Sequence, residues 1–360
     1  MSGAVHVVVP DSIDDPARPS GGNHYDRRVI RELTGAGWQL TVHPVAGSWP
    51  RPEAAAVANL GRLLADIPDG AVTLLDGLVA SIVPELLVPQ AARLRLVVLI
   101  HLPLGLAQPD GTAPDPATMA GEAAVLAAAA AVLVTSRWTR QRLLELYPQL
   151  PPAAVQVAEP GVDPAAPAAG SADGGELLCV ASVTHGKGHD LLLAALAGVA
   201  ELRWRCDWVG SLDREPDFVA RLRAEAESTG LTDRIRLRGP LTGAALEQAY
   251  ASADALVLAS RVETYGMVVT EALARGLPVL ATAVGGLPTA LGQTTDGRRP
   301  GLLVPAEDPG ALSTALRDWL TDAELRQRLR LAAAERRGTL TGWAVTGRLV
   351  GQVLSMARAG

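Results

Sequence analysis

The sequence predicts an α/β protein built from doubly wound parallel sheets and divided into two domains. Three observations carry this. Residues 254–291 read as strand, loop, helix, strand, the repeating unit of such a sheet. Short apolar runs alternate with helical patterns along the rest of the chain. A segment of only Ala, Pro, Gly, Ser and Asp, residues 165–175, interrupts a chain of 360 residues, which is long enough for two ordinary domains.

A strand is expected over residues 5–9, then a loop over 11–20 with three acids and two prolines. Gly21-Gly22 opens a helix from about 25 to 36; taken alone, the pair reads as a flexible turn. The glycine spacing of a dinucleotide fingerprint is absent. Next come a strand at 38–44, a helix at 53–65, and a strand at 72–75 ending in Asp76-Gly77. A helix at 80–88 contains Pro84, which breaks it. The strand at 95–100 delivers His101 at its carboxyl end, either facing a ligand or satisfied by local backbone. A Pro/Asp/Gly loop at 108–116, a helix at 117–130 and a strand at 131–135 follow. Ser136 caps a helix bearing Arg137, Arg140 and Arg142.

The second half begins with a strand at 176–182 and a glycine-flanked loop at 183–189 carrying Lys187. A helix at 190–199 completes an arrangement suited to holding phosphate. Strands at 203–209 and 235–237 end in Gly210 and Gly239, with helices at 217–229 and 241–252. Residues 255–259 form a buried strand, and the loop 260–265 holds Arg261, Glu263 and Tyr265. A helix from Gly266 stops at Arg275-Gly276, and a strand at 277–281 leads to a Gly285-Gly286 loop. A closing strand at 301–305, helices after Asp308-Pro309 and over 322–337, and an amphipathic stretch at 343–356 end the chain.

The chain is 48% apolar with a net charge of −6. Residues 1–165 carry 11 basic and 16 acidic side chains, and the rest carry 21 and 22. Neither half has a basic footprint, which argues against nucleic acid and an anionic membrane surface as main partners. No signal-peptide pattern precedes residue 5, and the longest apolar run, 123–134, is too short to span a bilayer. A cytoplasmic protein is expected, with Cys179 and Cys206 as core thiols. Lys187 is the one lysine among 32 basic residues, so a compact point charge suits that position.

Two carboxylates, Glu263 and Glu271, flank the helix start at Gly266, Met267 and Val268, whose N–H groups suit a phosphate. Acids would repel the phosphate, so they fit hydroxyls on either side of it, as in a nucleotide sugar. The plainer reading makes Glu271 a solvated helix residue and Glu263 a loop charge.

Glu263-Thr264-Tyr265-Gly266, Glu271-Ala272, Gly276-Leu277-Pro278-Val279 and Gly285-Gly286 resemble the carboxylate motif of retaining GT-B glycosyltransferases of the sucrose-synthase and mannosyltransferase type. The resemblance implies two Rossmann-like domains facing a cleft: residues 1–165 for the acceptor, 166–338 for the donor, and a helix within 339–360 crossing back to the first domain. It implies that Glu271 holds the ribose hydroxyls, that Glu263 lies by the donor sugar, and that Lys187 grips the pyrophosphate. Gly21-Gly22 would approach the donor phosphates and acceptor, and His101, in a turn resembling the family's histidine-proline-leucine turn, would lie near the transferred sugar. The loops after Gly210 and Gly239 would hold the base. Glu159-Pro160-Gly161-Val162-Asp163 resembles the family's hinge, and the Arg137/Arg140 face resembles one that binds acidic lipid in membrane-attached relatives, although a solvated surface suits this acidic domain. One departure stands out: the family's second pyrophosphate cation is an arginine five positions before the lysine, here Ser182. Arg261 or His185 is the candidate substitute.

The function implied is transfer of a sugar from a UDP-, GDP- or dTDP-linked donor, a substrate rather than a cofactor, to a hydroxyl-bearing acceptor. No Asp-x-Asp pair is present, so no metal is implied. The alternatives are a non-catalytic nucleotide-sugar-binding protein and a GT-B epimerase or pseudo-glycosyltransferase.

Overall fold

A computed structural model describes residues 4–15, 19–106 and 112–359. Its strands form two six-stranded, all-parallel sheets. The first holds β1 (Ala4–Pro10), β2 (Gln39–Val45), β3 (Val72–Asp76), β4 (Arg95–Ile100), β5 (Ala131–Val134) and β6 (Val155–Val157), in the order β2-β1-β3-β4-β5-β6. The second holds β7 (Glu176–Val180), β8 (Arg205–Val209), β9 (Ile235–Gly239), β10 (Ala255–Leu258), β11 (Val279–Thr282) and β12 (Gly301–Val304), in the order β12-β11-β10-β7-β8-β9. Each order reverses once, between β1 and β3 and between β7 and β10. Connections leave to opposite faces at such a switch point, and the loops there open a crevice at the strand ends.

β3, β5, β10 and β11 are buried along their whole length. Their Val/Leu/Ala-rich runs fit strands covered on both faces by helices. The chain divides into two compact units, one of residues 4–15, 20–161 and 342–359, the other of residues 19 and 162–341. The last helix, Trp343–Ala359, therefore belongs to the first unit, where Gly347 lets it lie against Glu32 of helix Gly21–Gly35.

The structure departs from the sequence reading at several points. The first helix starts at Gly21, four residues early, because Ser20 accepts the Asn23 N–H at 3.0 Å and caps it. The glycine pair is thus the helix's first turn and not a free loop. Pro84 opens a second short helix, Pro84–Gln90, in place of breaking one. β6 and the helix Leu287–Leu291 were not expected, being too short to show periodicity. The loop expected over 108–116 lies outside the described residues up to 111. Among the described residues no helix is long and apolar enough to cross a membrane. Cys179 and Cys206 are buried free thiols on neighbouring strands.

The low-complexity segment is tied down by one buried carboxylate. Asp254 accepts the Ser171 N–H at 2.6 Å and the Glu176 N–H at 2.9 Å, and pairs with Arg330 at 2.9 Å. Replacing Asp254 with Ala should cost about 3–5 kcal/mol in chemical unfolding, because several donors would lose a buried acceptor. A loss under about 1 kcal/mol would show that the segment is held by something else.

Candidate active site

The loops after β7 and β10 meet at the switch point of the second sheet. A single 3-10 turn, His185–Lys187, follows β7, and Gly188 then starts the helix His189–Ala197 in the left-handed region at φ +66°. A Cβ there would overlap the Ala259 carbonyl oxygen, so only glycine permits this approach. The Arg261 N–H donates to the Gly186 carbonyl at 3.0 Å. This joining of backbones places Lys187 Nζ 2.6 Å from Glu263 Oε2. On the far side, Gly285 (φ +55°) packs against the Glu263 carbonyl oxygen, which accepts the Gly286 N–H at 2.9 Å. Three loops thus hold Glu263, and Lys187 is its cation.

Gly266, at φ +95°, turns the chain into the helix Met267–Ala274. The N–H groups of Met267 and Val268 occupy its first turn, where the helix supplies no acceptors. Tyr265 is buried beside them. Glu271, one turn in, accepts the Tyr250 hydroxyl on Oε2 at 2.8 Å. Burial raises its pKa against the opposing pull of Tyr250 and Arg275. It is therefore an oriented carboxylate, not a solvated helix residue. Gly210 and Gly239 close their strands side by side, the Gly210 N–H donating to the Gly239 carbonyl at 2.9 Å.

Of the two candidates for the cation missing at Ser182, Arg261 is already paired with acids. Arg261 binds both oxygens of Asp190, at 2.7 and 2.8 Å, and Glu307 at 2.8 Å. The hydrogen bond to Asp190 raises its pKa further. It also donates to the His185 carbonyl at 2.8 Å. Arg261 thus braces the lysine loop. The His185 ring stands edge-on to Phe218 at 5.9 Å, with Nδ1 buried and unpaired.

A second constellation lies at the switch point of the first sheet. Asp76 ends β3, His101 follows β4, and Asp26 projects from the first helix. His101 Nε2 lies 2.8 Å from Asp26 Oδ1 and 3.9 Å from Asp76 Oδ2. Burial pulls the His101 pKa down, but the charge and hydrogen bond of Asp26 and the charge of Asp76 outweigh it and lift it to about 9. Burial and the Asp26 charge push Asp76 up to about 7. The three ligand-type atoms lie within 4.8 Å of one another. A proton bridges the Nε2···Oδ1 contact, as in an ordinary histidine–aspartate hydrogen bond. Gly22 lies over the imidazole: a Cβ there would sit 3.2 Å from Cδ2. Arg140 bonds the Val155 and Pro152 carbonyls, so it closes the sheet edge.

Residues 169–336 match the sequence model described as glycosyl transferases group 1. That segment belongs to the family. A D-inositol 3-phosphate glycosyltransferase of Kineococcus radiotolerans is 36% identical over 265 residues, covering 66% of this chain and 60% of that protein. The chain thus spans about three fifths of the length of such curated relatives. Sucrose-phosphate synthase from Thermosynechococcus elongatus superposes with a TM-score of 0.79 at 22% identity, covering 97% of this chain and 98% of that one. Anabaena HepE in complex with UDP-glucose gives 0.74 at 15% identity, covering 98% and 99%. The fold is that of the GT-B glycosyltransferases.

Sequence reasoning missed four residues around the sites: Asp26, Asp76, Glu122 and Tyr250. Glu122 is fully buried in the helix Pro116–Ala128. It accepts from Ser81 Oγ at 3.0 Å, the Leu104 and Gly105 N–H groups at 3.1 Å each, and the Tyr147 hydroxyl at 2.6 Å. That saturated carboxylate shapes the turn after His101. A lone acid in an alanine-rich helix was its only signal. Asp76 had a signal, a charge closing a mostly apolar strand; Asp26 and Tyr250 had none.

The stability of the first unit should depend on pH. Folding raises the His101 pKa from 6.5 to about 9, so its contribution is complete below about 6.5 and is lost as pH rises to about 9. Asp76, raised from 3.8 to about 7, acts in the same sense over about pH 4 to 7, since its neutral form is the one folding favours. The urea midpoint should fall steadily as pH rises over this span, and His101→Gln should flatten the upper part. An unchanged midpoint between about pH 6.5 and 9 in the wild type would contradict the assignment.

Proposed function

We propose that the protein is a retaining, nucleotide-sugar-dependent glycosyltransferase. The observation that carries this reading is the Lys187–Glu263 pair at 2.6 Å, at the sheet's switch point, beside the glycine-started helix that bears Glu271. Lys187 and the N–H groups of Met267 and Val268 would receive the donor diphosphate, where negative charge grows as the sugar leaves. Glu271, oriented by Tyr250, would take the ribose hydroxyls on its remaining oxygen. Glu263 would hand Lys187 to the phosphate and take sugar hydroxyls instead. In the transfer, the bond from the sugar's anomeric carbon to the phosphate oxygen breaks, and a bond to the acceptor oxygen forms on the same face. The acceptor's proton passes to the departing phosphate oxygen, so no protein base is required.

UDP-glucose binding by HepE supports a nucleoside-diphosphate donor. The names of the bacterial relatives support a small polyol phosphate as acceptor. Among UDP, GDP and dTDP at saturating concentration, one should raise the melting temperature of the wild type and not that of Lys187→Ala. A ligand at about a hundred times its dissociation constant adds roughly 2.7 kcal/mol. The matching nucleotide sugar should then give product with retained anomeric configuration by NMR. A shift without product would favour the non-catalytic binding protein, and no shift with any nucleotide would count against the reading.

A further inference from the structure

His101 is held by two acids, a tyrosine and a glycine, and its side chain keeps 15% exposure. Asp26 Oδ1 takes Nε2 at 2.8 Å, Asp76 lies behind it at 3.9 Å, and Tyr25 meets the ring edge-on at 5.3 Å. Gly22 covers one face. Among the described residues, Nδ1 has no hydrogen-bond partner. The side chains of Asp26 and Asp76 are 3% and 2% exposed, so neither exchanges its partner for water. Asp26 Oδ2 is buried without a donor, beside a small cavity lined by Val7, Val9, Val29 and Leu74. The neighbouring group with a proton to give is the Asp76 carboxyl, whose other role is to cap Leu78 N–H at 2.6 Å.

We propose that Asp26 is a positioning residue that keeps His101 a cation, so that the ring offers its Nδ1–H to a substrate oxygen and does not act as a base. This rests on the glycosyltransferase reading for what the substrate is, but the state of the ring can be tested without it. The physical reasoning is direct. The Asp26 contact needs only an Nε2–H, which a neutral ring also offers; it is the buried charge of Asp26 that favours the imidazolium, because a counter-charge offsets the cost of burying it. Two ionised acids around one imidazolium would leave a net buried negative charge, so Asp76 is the member that takes up a proton. The remaining Asp26–His101 pair is neutral as a unit and rigid, because the ring cannot rotate without leaving Nε2–H unpaired. The titratable groups facing the ring are Asp26 and Tyr25 from the first helix and Asp76 from β3. The burial-raised pKa of Tyr25 keeps its phenol neutral, and it donates to the Ala158 carbonyl at 2.8 Å, so it adds no charge. A fixed Nδ1–H donor stabilises negative charge gathering on an oxygen in the transition state. It also fits a transfer in which the departing phosphate takes the acceptor's proton.

The test is long-range ¹H–¹⁵N correlation of the histidine rings in the full chain, from about pH 6 to about pH 10, with His101→Gln to assign the signal. In the wild type the His101 ring should stay doubly protonated at neutral pH and lose its proton well above the ordinary range. Asp26→Asn should lower that midpoint by at least about one unit, equivalent to a tenfold change. Asp26→Glu should restore it in large part, and it keeps the test open if the Asn variant fails to fold. With an active donor, Asp26→Asn should lower kcat by about tenfold or more at little change in donor KM, a split that general destabilisation would not give. The wild-type rate should show no acidic limb from His101. A singly protonated ring at neutral pH, or a midpoint equal in wild type and Asp26→Asn, overturns the proposal. Loss of the nucleotide-induced melting shift in the wild type, with the ring still cationic, would instead strike only the transferase reading.

Discussion

The loops after β7 and β10 can cooperate only because their backbones touch. A parallel sheet leaves its strand-end loops separated by the strand spacing, and side chains alone span that gap loosely. Here Gly188 lies against the Ala259 carbonyl, and Arg261 N–H holds the Gly186 carbonyl. Lys187 and Glu263 are thereby placed by main chain, not by side-chain reach. Gly285 and Gly286 repeat the device from β11, so Glu263 is gripped from both sides. The rest of the candidate site follows: the helix that starts at Gly266 begins where this loop ends, and its direction sets where Glu271 stands.

The buried acids fall into two physical classes. Asp254 and Glu122 are surrounded by donors on both oxygens and have nothing left to offer a ligand. They organise loops, at the segment before β7 and at the turn after β4. Glu263 and Glu271 each have a single oxygen engaged, by Lys187 and by Tyr250. A carboxylate half-satisfied by protein is oriented and still able to accept from hydroxyls. Asp26 is intermediate: one oxygen binds His101 and the other is buried without a donor. That imbalance makes the histidine's proton part of the structure.

Much of the second unit was legible in the sequence. The apolar runs of β7, β10 and β11 are bounded by glycine and charge, and the spacing from Glu263 to Glu271 follows from a loop of fixed length running into a helix. Lys187 stood out because no other lysine competes with it. Arg261 stood as a candidate free charge for an equally physical reason: a sequence shows a cation near the lysine loop but not the acids opposite it, and Asp190 and Glu307 lie 71 and 46 positions away in the chain. The capped start at Ser20 was within reach of sequence rules, yet the two glycines behind it masked the helix.

By itself, the sequence determined the layered α/β class, the two-sheet organisation, and the loops that carry Lys187, Glu263 and His101. Those depend on periodicity and local turn chemistry, which are written over a few residues. Only the tertiary structure decided which charges are spent on one another. Asp26, Asp76 and His101 come from a helix and two strand ends spread over 75 positions, and Tyr250 reaches Glu271 from a separate helix. Strand order in a parallel sheet creates those meetings, and no local pattern records which loops will share a switch point.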